Sequence, residues 1–433
     1  MEISELYKIF RQHPVVTTDS RDCPENSIFF ALKGASFNGN AFAAKALEQG
    51  CAFAVVDEKE YAPDGDSRFI LTDNCLHTLQ MLANYHRKQL GTKIIGITGT
   101  NGKTTTKELV ATVLEKKYNV LYTQGNFNND IGVPKTLLRL KPEHQIAVVE
   151  MGASHPGDIK TLVDIVEPDC GIITNVGKAH LQGFGSFEGV IKTKGELYDF
   201  LRENGGFVFI HNDNKYLKNI AGGLKLVKYG SEHDDASLLV NGDVIECAPF
   251  LKFRWSVKDG DWHEVQTHLI GSYNVYNMLA AACIGTYFGV SEEDVSDALR
   301  NYVPTNNRSQ LETTASNKLI VDTYNANPTS MRAALENFRD MAVSPKMAIL
   351  GDMRELGSVS QEEHQKVVDF LKDNNINNVW LVGEEFGKTD CNFRKFSDVD
   401  AVKAEIAAHK PEGYYILIKG SNGIKLFQLP ELL

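Results

Sequence analysis

A lysine and a run of threonines follow a glycine-bearing turn in Gly99-Thr100-Asn101-Gly102-Lys103-Thr104-Thr105. An apolar stretch ending at Ile97 precedes the turn, and helical spacing over residues 103–117 follows it, with Leu109, Val110, Val113 and Leu114 on one face. Strand, glycine turn and helix N-terminus together make an anion site, because unpaired backbone N–H groups and the positive end of the helix dipole point at one place. Lys103 has the reach for the β- and γ-phosphates of a nucleotide, and the Thr104 hydroxyl suits Mg²⁺. A strict phosphate loop opens with glycine where this chain has Ile97, so the loop is shortened at its first glycine. Glycines placed only for tight packing would leave Lys103 without a reason.

Other residues gather around that turn in the order of the chain. Asn126, Asn128, Asn129 and Asp130 crowd one short loop, more amides and acids than a turn requires. Glu150 closes the apolar run 146–149, and an acid at the carboxyl end of a buried strand near a phosphate loop is where a Mg²⁺ ligand belongs. Asn274 and Asn277 stand one helical turn apart at a helix start and could face one ligand, with capping the plainer role for Asn274. Arg21, among Thr17, Thr18 and Ser20, suits either a diphosphate or a surface ion pair. Spacing alone gives no role to His180, after an apolar strand, or to Lys194, whose ordinary place is the solvated face of a helix.

The elements that must hold these residues define an α/β protein. At 433 residues the size prior is about three domains. Residues 1–90 form a small α/β unit with strands at 27–32 and 52–57, a helix at 41–49 and another at 76–90. A central block, 91–304, carries the phosphate loop, further strands at 120–122, 146–149 and 171–174, and a strand-rich segment 205–270 with an antiparallel extension. The last block, 305–433, alternates strands (318–322, 346–350, 379–382, 414–418) with helices (330–341, 361–374, 398–409), which implies a second doubly wound sheet. Its strands end in polar clusters at 322–328, 351–357 and 419–423, and ligands bind beyond the carboxyl ends of such strands.

Composition narrows the class. A net charge of −11 argues against a nucleic-acid surface, and 42% hydrophobic residues are ordinary for a globular protein. The 7 scattered cysteines contain no CxxC pair, so free thiols in a reducing cytoplasm are expected. The opening Met-Glu-Ile-Ser-Glu-Leu lacks a basic segment followed by an apolar core, so no signal peptide is expected, and no apolar run is long enough to span a membrane.

The form Gly-Thr-Asn-Gly-Lys-Thr at 99–104 resembles that of the Mur ligases and folylpolyglutamate synthases, which form an amide bond by ATP-driven activation of a carboxylate. Gly-Asn-Phe-Asn-Asn-Asp-Ile-Gly-Val-Pro (125–134), Glu-Met-Gly-Ala-Ser (150–154) and Ile-Thr-Asn-Val-Gly-Lys-Ala-His (173–180) extend the likeness to the Mur ligases. So do Asp-Thr-Tyr-Asn-Ala-Asn-Pro-Thr-Ser-Met (322–331) and Leu-Gly-Asp-Met-Arg-Glu-Leu-Gly (350–357). Within that family they are similar to the ligase that adds D-alanyl-D-alanine to UDP-N-acetylmuramoyl-tripeptide in peptidoglycan precursor synthesis.

The resemblance implies an N-terminal UDP-substrate domain, a central ATP-binding phosphate-loop domain and a Rossmann-like C-terminal domain, in a cytoplasmic monomer without nucleic-acid or membrane partners. It implies that Gly99 to Thr105 hold the triphosphate of ATP, with Thr104 and Glu150 on a first Mg²⁺ ion and His180 and a carbamylated Lys194 serving a second. Lys103, Glu150, His180 and Lys194 would then carry the chemistry. Asn277 would contact adenine, Arg308 the γ-phosphate, and Asp322 with Asn325 the ribose region, while Ser20, Arg21, Asn128 and Asn129 would meet the substrate. Two positions depart from the family pattern: Tyr273 stands where histidine is usual, and Asn422 where arginine usually follows Lys-Gly-Ser.

Overall fold

A computed structural model describes residues 1–231, 235–304 and 310–433. Its centre is the strand Lys93–Thr98, whose residues from Ile94 onward are buried on both faces. Such a strand must sit inside a parallel sheet covered on both sides, which is why its sequence reads as an unbroken apolar run rather than an alternation. It lies between Ile146–Glu150 and Cys170–Ile173 in a nine-stranded sheet. Val120–Tyr122 forms one edge of that sheet. On the other side Phe207–His211, Lys225–Gly230 and Leu238–Cys247 continue it in parallel, and Phe250–Val257 and His263–Ile270 complete it antiparallel. The chain leaves Lys93–Thr98 toward one side of the sheet and later crosses to the other, so a crevice opens at the carboxyl end of this strand.

The phosphate-loop helix Lys103–Leu114 is buried over most of its surface, including Thr104, Thr105, Thr106 and Lys107. Its partner, Val275–Tyr287, is buried almost all round as well. Gly285 lets the two helices approach so closely that a Cβ there would stand 2.3 Å from a Val113 methyl. Helices this enclosed belong to the interior of the fold, and they fix the loop at their shared end.

Two smaller sheets flank the central one. The N-terminal sheet is all parallel, in the order Val16–Thr17, Ile28–Phe30, Phe53–Val56, Phe69–Leu71. Helix Cys75–Leu90, capped by the Asn74 side chain on the His77 N–H and ended by left-handed Gly91, packs its core onto the central sheet. The C-terminal sheet runs Gln310–Thr313, Lys318–Asp322, Tyr415–Lys419, Lys346–Gly351, Val379–Val382, Arg394–Phe396, parallel except for its first edge strand. Both flanking sheets therefore carry edge strands of two to four residues that periodicity did not predict. The helix expected at 41–49 begins as a 3-10 turn, Gly39–Phe42, before the α-helix Ala43–Glu48. Helices Ile3–Gln12, Asp158–Val166 and Glu292–Asn301 were not anticipated.

Candidate active site

The glycine turn is pressed between two neighbours. Gly99 has φ +143°, and a Cβ on it would lie 2.0 Å from Thr174 Oγ1. Gly102 has φ +78°, and a Cβ there would lie 2.7 Å from Asn277 Oδ1. Only glycine fits either place, for both backbone and space. The loop between them is held by Asn175, whose Oδ1 accepts the Asn101 N–H at 3.0 Å and whose Nδ2 donates to Asn101 O at 3.0 Å. Thr174 Oγ1 donates to the same Asn101 oxygen at 2.6 Å, and Thr100 N–H reaches Asn175 O at 2.9 Å. Lys103 Nζ folds back to donate to the carbonyls of Gly99 (2.9 Å) and Thr100 (3.1 Å), which places its charge over the turn. In the sequence Asn175 stands out only as part of the motif 173–180, although an amide just after a buried strand is a usable signal.

Beneath the loop lies Glu150, 1% exposed. Its Oε1 accepts from Thr104 Oγ1 at 3.2 Å and from Asn128 Nδ2 at 2.8 Å. Its Oε2 is buried and has no hydrogen-bond partner among the described residues. A buried carboxylate oxygen without a donor is costly unless a cation completes it. The hard oxygens of Glu150 and Thr104 suit Mg²⁺, which takes few protein ligands and fills its shell with phosphate and water. Among the described residues no three His, Cys, Asp or Glu side chains converge into a metal cage, so an ion here would be shared with a ligand. Asn129 accepts the N–H groups of Ile131 (3.3 Å) and Gly132 (2.8 Å), which ties it to the start of the helix Gly132–Leu137 while it still borders the cavity.

Lys194 is not on a solvated face. It is 2% exposed on the helix Phe187–Glu203, and its Nζ has one long hydrogen bond, 3.4 Å to Ala153 O, and stands 5.5 Å from the centre of the Phe184 ring. Burial, and then the positive charge of Lys103, hold its pKa well below that of an ordinary lysine, while Asp158 and Glu196 act the other way. His180 borders the same cavity with a left-handed backbone, φ +50°, and its Nδ1 touches the Glu355 carboxylate. Burial lowers its pKa, with Glu355 opposing and Lys103 and Lys194 reinforcing the shift.

At the opposite wall Asn277 Nδ2 donates to Asn274 Oδ1 at 2.8 Å, and its Oδ1 accepts from Thr106 Oγ1 at 3.1 Å. Asn274 in turn donates to Ile270 O at 2.8 Å, so the two amides act as a linked pair rather than as a cap and a free contact. Tyr273 also borders the cavity here. From the C-terminal sheet come Asp322 and Asn325, together with Lys419, a residue the sequence reading left without a role. Lys419 is 1% exposed, and its Nζ lies 2.5 Å from Asp322 Oδ2 and 3.3 Å from Asn325 O. Its signal was the lysine that ends an apolar strand beside the Gly-Ser turn.

All three walls enclose one cavity of about 730 Å³, lined by Thr100, Asn101, Gly102, Lys103 and Thr105 with Asn128, Asn129, Glu150 and His180, and by Asn277, Asp322 and Asn325. Gly99, Thr104 and Lys194 do not line it, although Thr104 bonds to Glu150 and Lys194 to Ala153, which do. Ser20 and Arg21 do not border it, and Arg21 forms a bidentate pair with Asp19, at 2.9 and 2.8 Å, on the surface of the N-terminal unit. That pair holds the Asp19 carboxyl well below its usual range. Asn422 is exposed at a turn away from the cavity. Arg308 lies outside the described residues.

A shortened phosphate loop over a buried acid, facing a second parallel sheet across one cavity, defines a class, and comparison with known proteins gives it a name. The Mur ligase middle domain matches residues 97–285, the Mur ligase glutamate ligase domain residues 307–422, and the Mur ligase family catalytic domain residues 14–87. The chain belongs to the Mur ligase family. Two curated relatives are each named UDP-N-acetylmuramoyl-tripeptide--D-alanyl-D-alanine ligase. The one from Bacillus subtilis is 35% identical and the alignment covers 96% of this chain and 92% of that protein. The one from Escherichia coli is 34% identical over 96% and 93%. Among solved structures, MurF from Acinetobacter baumannii superimposes with a TM-score of 0.86 at 31% identity, covering 96% of this chain and 92% of that one. MurF from Thermotoga maritima in complex with ADP gives 0.85 at 26% identity, covering 96% of each.

Proposed function

We propose that this protein uses ATP to join D-alanyl-D-alanine to the terminal carboxylate of UDP-N-acetylmuramoyl-tripeptide, in the cytoplasm and as a monomer. The observation that carries the reading is the pairing of the lysine-bearing phosphate loop with a buried Glu150 oxygen that has no donor among the described residues, in a chain similar along its length to ligases of that name. A carboxylate is a poor acyl donor, because oxide is a poor leaving group. Its oxygen attacks the γ-phosphorus of ATP, ADP leaves, and an acyl phosphate remains. The amine of the dipeptide, having lost its proton, attacks the acyl carbon, and inorganic phosphate departs with the C–O bond electrons.

The residues of this chain serve those steps by position. The loop from Gly99 to Thr105 cradles the phosphates, and Lys103 exchanges its two loop carbonyls for phosphoryl oxygens, offsetting charge as it builds. Asn277 takes the adenine, Arg308 the γ-phosphate, and Asp322 with Asn325 the ribose. Asn128 and Asn129 with Ser20 and Arg21 meet the peptide and nucleotide ends of UDP-N-acetylmuramoyl-tripeptide. Thr104 and Glu150 would hold one Mg²⁺, with His180 and Lys194 serving a second. Bound there, the ions would withdraw charge from the phosphoryl oxygens. A buried lysine kept below its ordinary pKa has the neutral amine that reacts with CO₂, and a carbamate would turn Lys194 from a cation into an oxygen donor. The domains fall at 1–90 for the UDP-substrate unit, 91–304 for the ATP-binding unit and 305–433 for the C-terminal unit.

Incubating the protein with ATP, UDP-N-acetylmuramoyl-tripeptide and D-alanyl-D-alanine should give the amide-linked pentapeptide product by mass spectrometry, with one ADP per bond. With hydroxylamine in place of the dipeptide, an ATP-dependent hydroxamate should accumulate. ADP release without either product would reduce the protein to an ATPase.

A further inference from the structure

His180 sits on a short segment, Val176 to Gln182, that leaves the central sheet and is gripped by the C-terminal domain on several sides. The Lys178 N–H donates to Thr329 Oγ1 at 3.0 Å, and Lys178 Nζ pairs with Glu363 at 2.9 Å. The tightest grip is at Glu355. Its carboxylate touches His180 Nδ1, and its backbone oxygen accepts the Gln182 N–H at 3.1 Å. Both partners are held in the left-handed region, His180 at φ +50° and Glu355 at φ +63°. Neither is glycine or asparagine, so each is there at a cost that the contact across the two domains must offset. Strain placed on both sides of one side-chain contact marks that contact as a device rather than a chance surface pair.

The chemistry of the pair says what the device does. An ionised carboxylate only accepts, so the imidazole beside it must carry a proton on Nδ1. That leaves Nε2 as the nitrogen with a lone pair, on a ring that borders the phosphate cavity. A carboxylate bonded to the far nitrogen of a histidine fixes both its tautomer and its orientation toward a cation. We propose that Glu355 is a positioning residue which, from the C-terminal domain, sets the His180 ring to offer Nε2 to a divalent cation in the central domain. The cation site would then be complete only when the two domains are docked. This rests on the reading of His180 as a metal ligand.

Mn²⁺ titration followed by the electron paramagnetic resonance of the free ion, with a non-hydrolysable ATP analogue present, tests both levels separately. The wild type should bind a second Mn²⁺ that His180→Ala lacks. Glu355→Ala should weaken that second site alone by ~10–100-fold, the scale of losing an outer hydrogen-bond partner of a ligand. Glu355→Gln keeps an acceptor oxygen for Nδ1–H and should restore binding to within about threefold, the rescue expected of a positioning hydrogen bond. If His180→Ala keeps both ions, the ligand reading falls and the proposal with it. If His180→Ala loses one while Glu355→Ala binds both as the wild type does, the proposal alone is overturned. A Glu355→Gln variant no better than Glu355→Ala would also overturn it.

Discussion

Two parallel sheets point the carboxyl ends of their strands at the same cavity, and they treat charge there in opposite ways. The C-terminal sheet neutralises its own. Asp322 is paired with buried Lys419 at 2.5 Å, and the Asp352 carboxylate accepts the N–H groups of Glu385 and Phe386 at 3.0 and 2.9 Å. The central sheet leaves charge incomplete: among the described residues Glu150 has an oxygen without a donor, and Lys194 is buried with one long hydrogen bond. Buried charge without a partner is disfavoured in an isolated protein, so it persists where a ligand supplies the partner. The incomplete charges thus gather on the side of the central sheet and the paired ones on the side of the C-terminal sheet.

The comparison is broken most directly at the lysines. Lys103→Ala should lower kcat by ~10²–10³-fold or more, the scale of removing a group that stabilises charge in the transition state, with the fold intact by circular dichroism. Near wild-type turnover would mean that the loop does not hold the reacting phosphates. Lys194→Ala should be nearly inactive, and millimolar short-chain carboxylates should restore part of the rate by standing in for a carbamate. His180→Ala, assayed beside it, should gain nothing from them. Normal activity in Lys194→Ala would place its burial among packing features.

For the C-terminal sheet the effects should fall on stability instead. Lys419→Met leaves Asp322 without its partner, and breaking such a buried pair costs about 3–5 kcal/mol. Denaturant titration should register that loss, while kcat of the folded fraction falls less than in Lys103→Ala. The reverse ranking would make Lys419 a member of the reacting set. A smaller effect tests whether the contrast belongs to the sheets or to individual residues. Asp213, after the central strand Phe207–His211, lies where burial would raise its pKa. His211 at 3.4 Å and the Ser231 N–H and hydroxyl at 2.8 Å outweigh that and depress it to about 2. A depressed carboxyl stabilises the fold above its unfolded pKa, and that contribution disappears as the pH falls from ~4 toward about 2. Asp213→Asn should therefore cost on the order of 1 kcal/mol at neutral pH and little at the acid end. A constant deficit across that range would assign the loss to packing.

The phosphate loop, Glu150 and the parallel order of both larger sheets were legible because each depends on local grammar: an apolar run, a turn residue, an acid where the run stops. The short edge strands were not, since two or three residues show no period, and their pairing comes from neighbours far along the chain. Lys194 shows the limit most clearly. On a helix its spacing is that of any solvated lysine, and only the packing of Phe184 and the loop at Ala153 makes it interior. The Asp322–Lys419 pair was invisible for a related reason: the two residues are adjacent only because their strands are paired, in register, in the folded sheet.

Asn101 and Asn327 exchange side-chain amides across the two domains, Asn327 Nδ2 reaching Asn101 Oδ1 at 2.8 Å. Asn101 belongs to the phosphate loop, and Asn327 caps the helix Pro328–Asp340. The loop is thus a hinge pin as well as a cradle. The pin is uncharged, whereas Lys178–Glu363 farther along the same seam is ionic. Added salt weakens exposed ion pairs and hardly touches an amide pair. Raising the ionic strength would loosen the seam at Lys178–Glu363 and leave the domains attached at the Asn101–Asn327 pair.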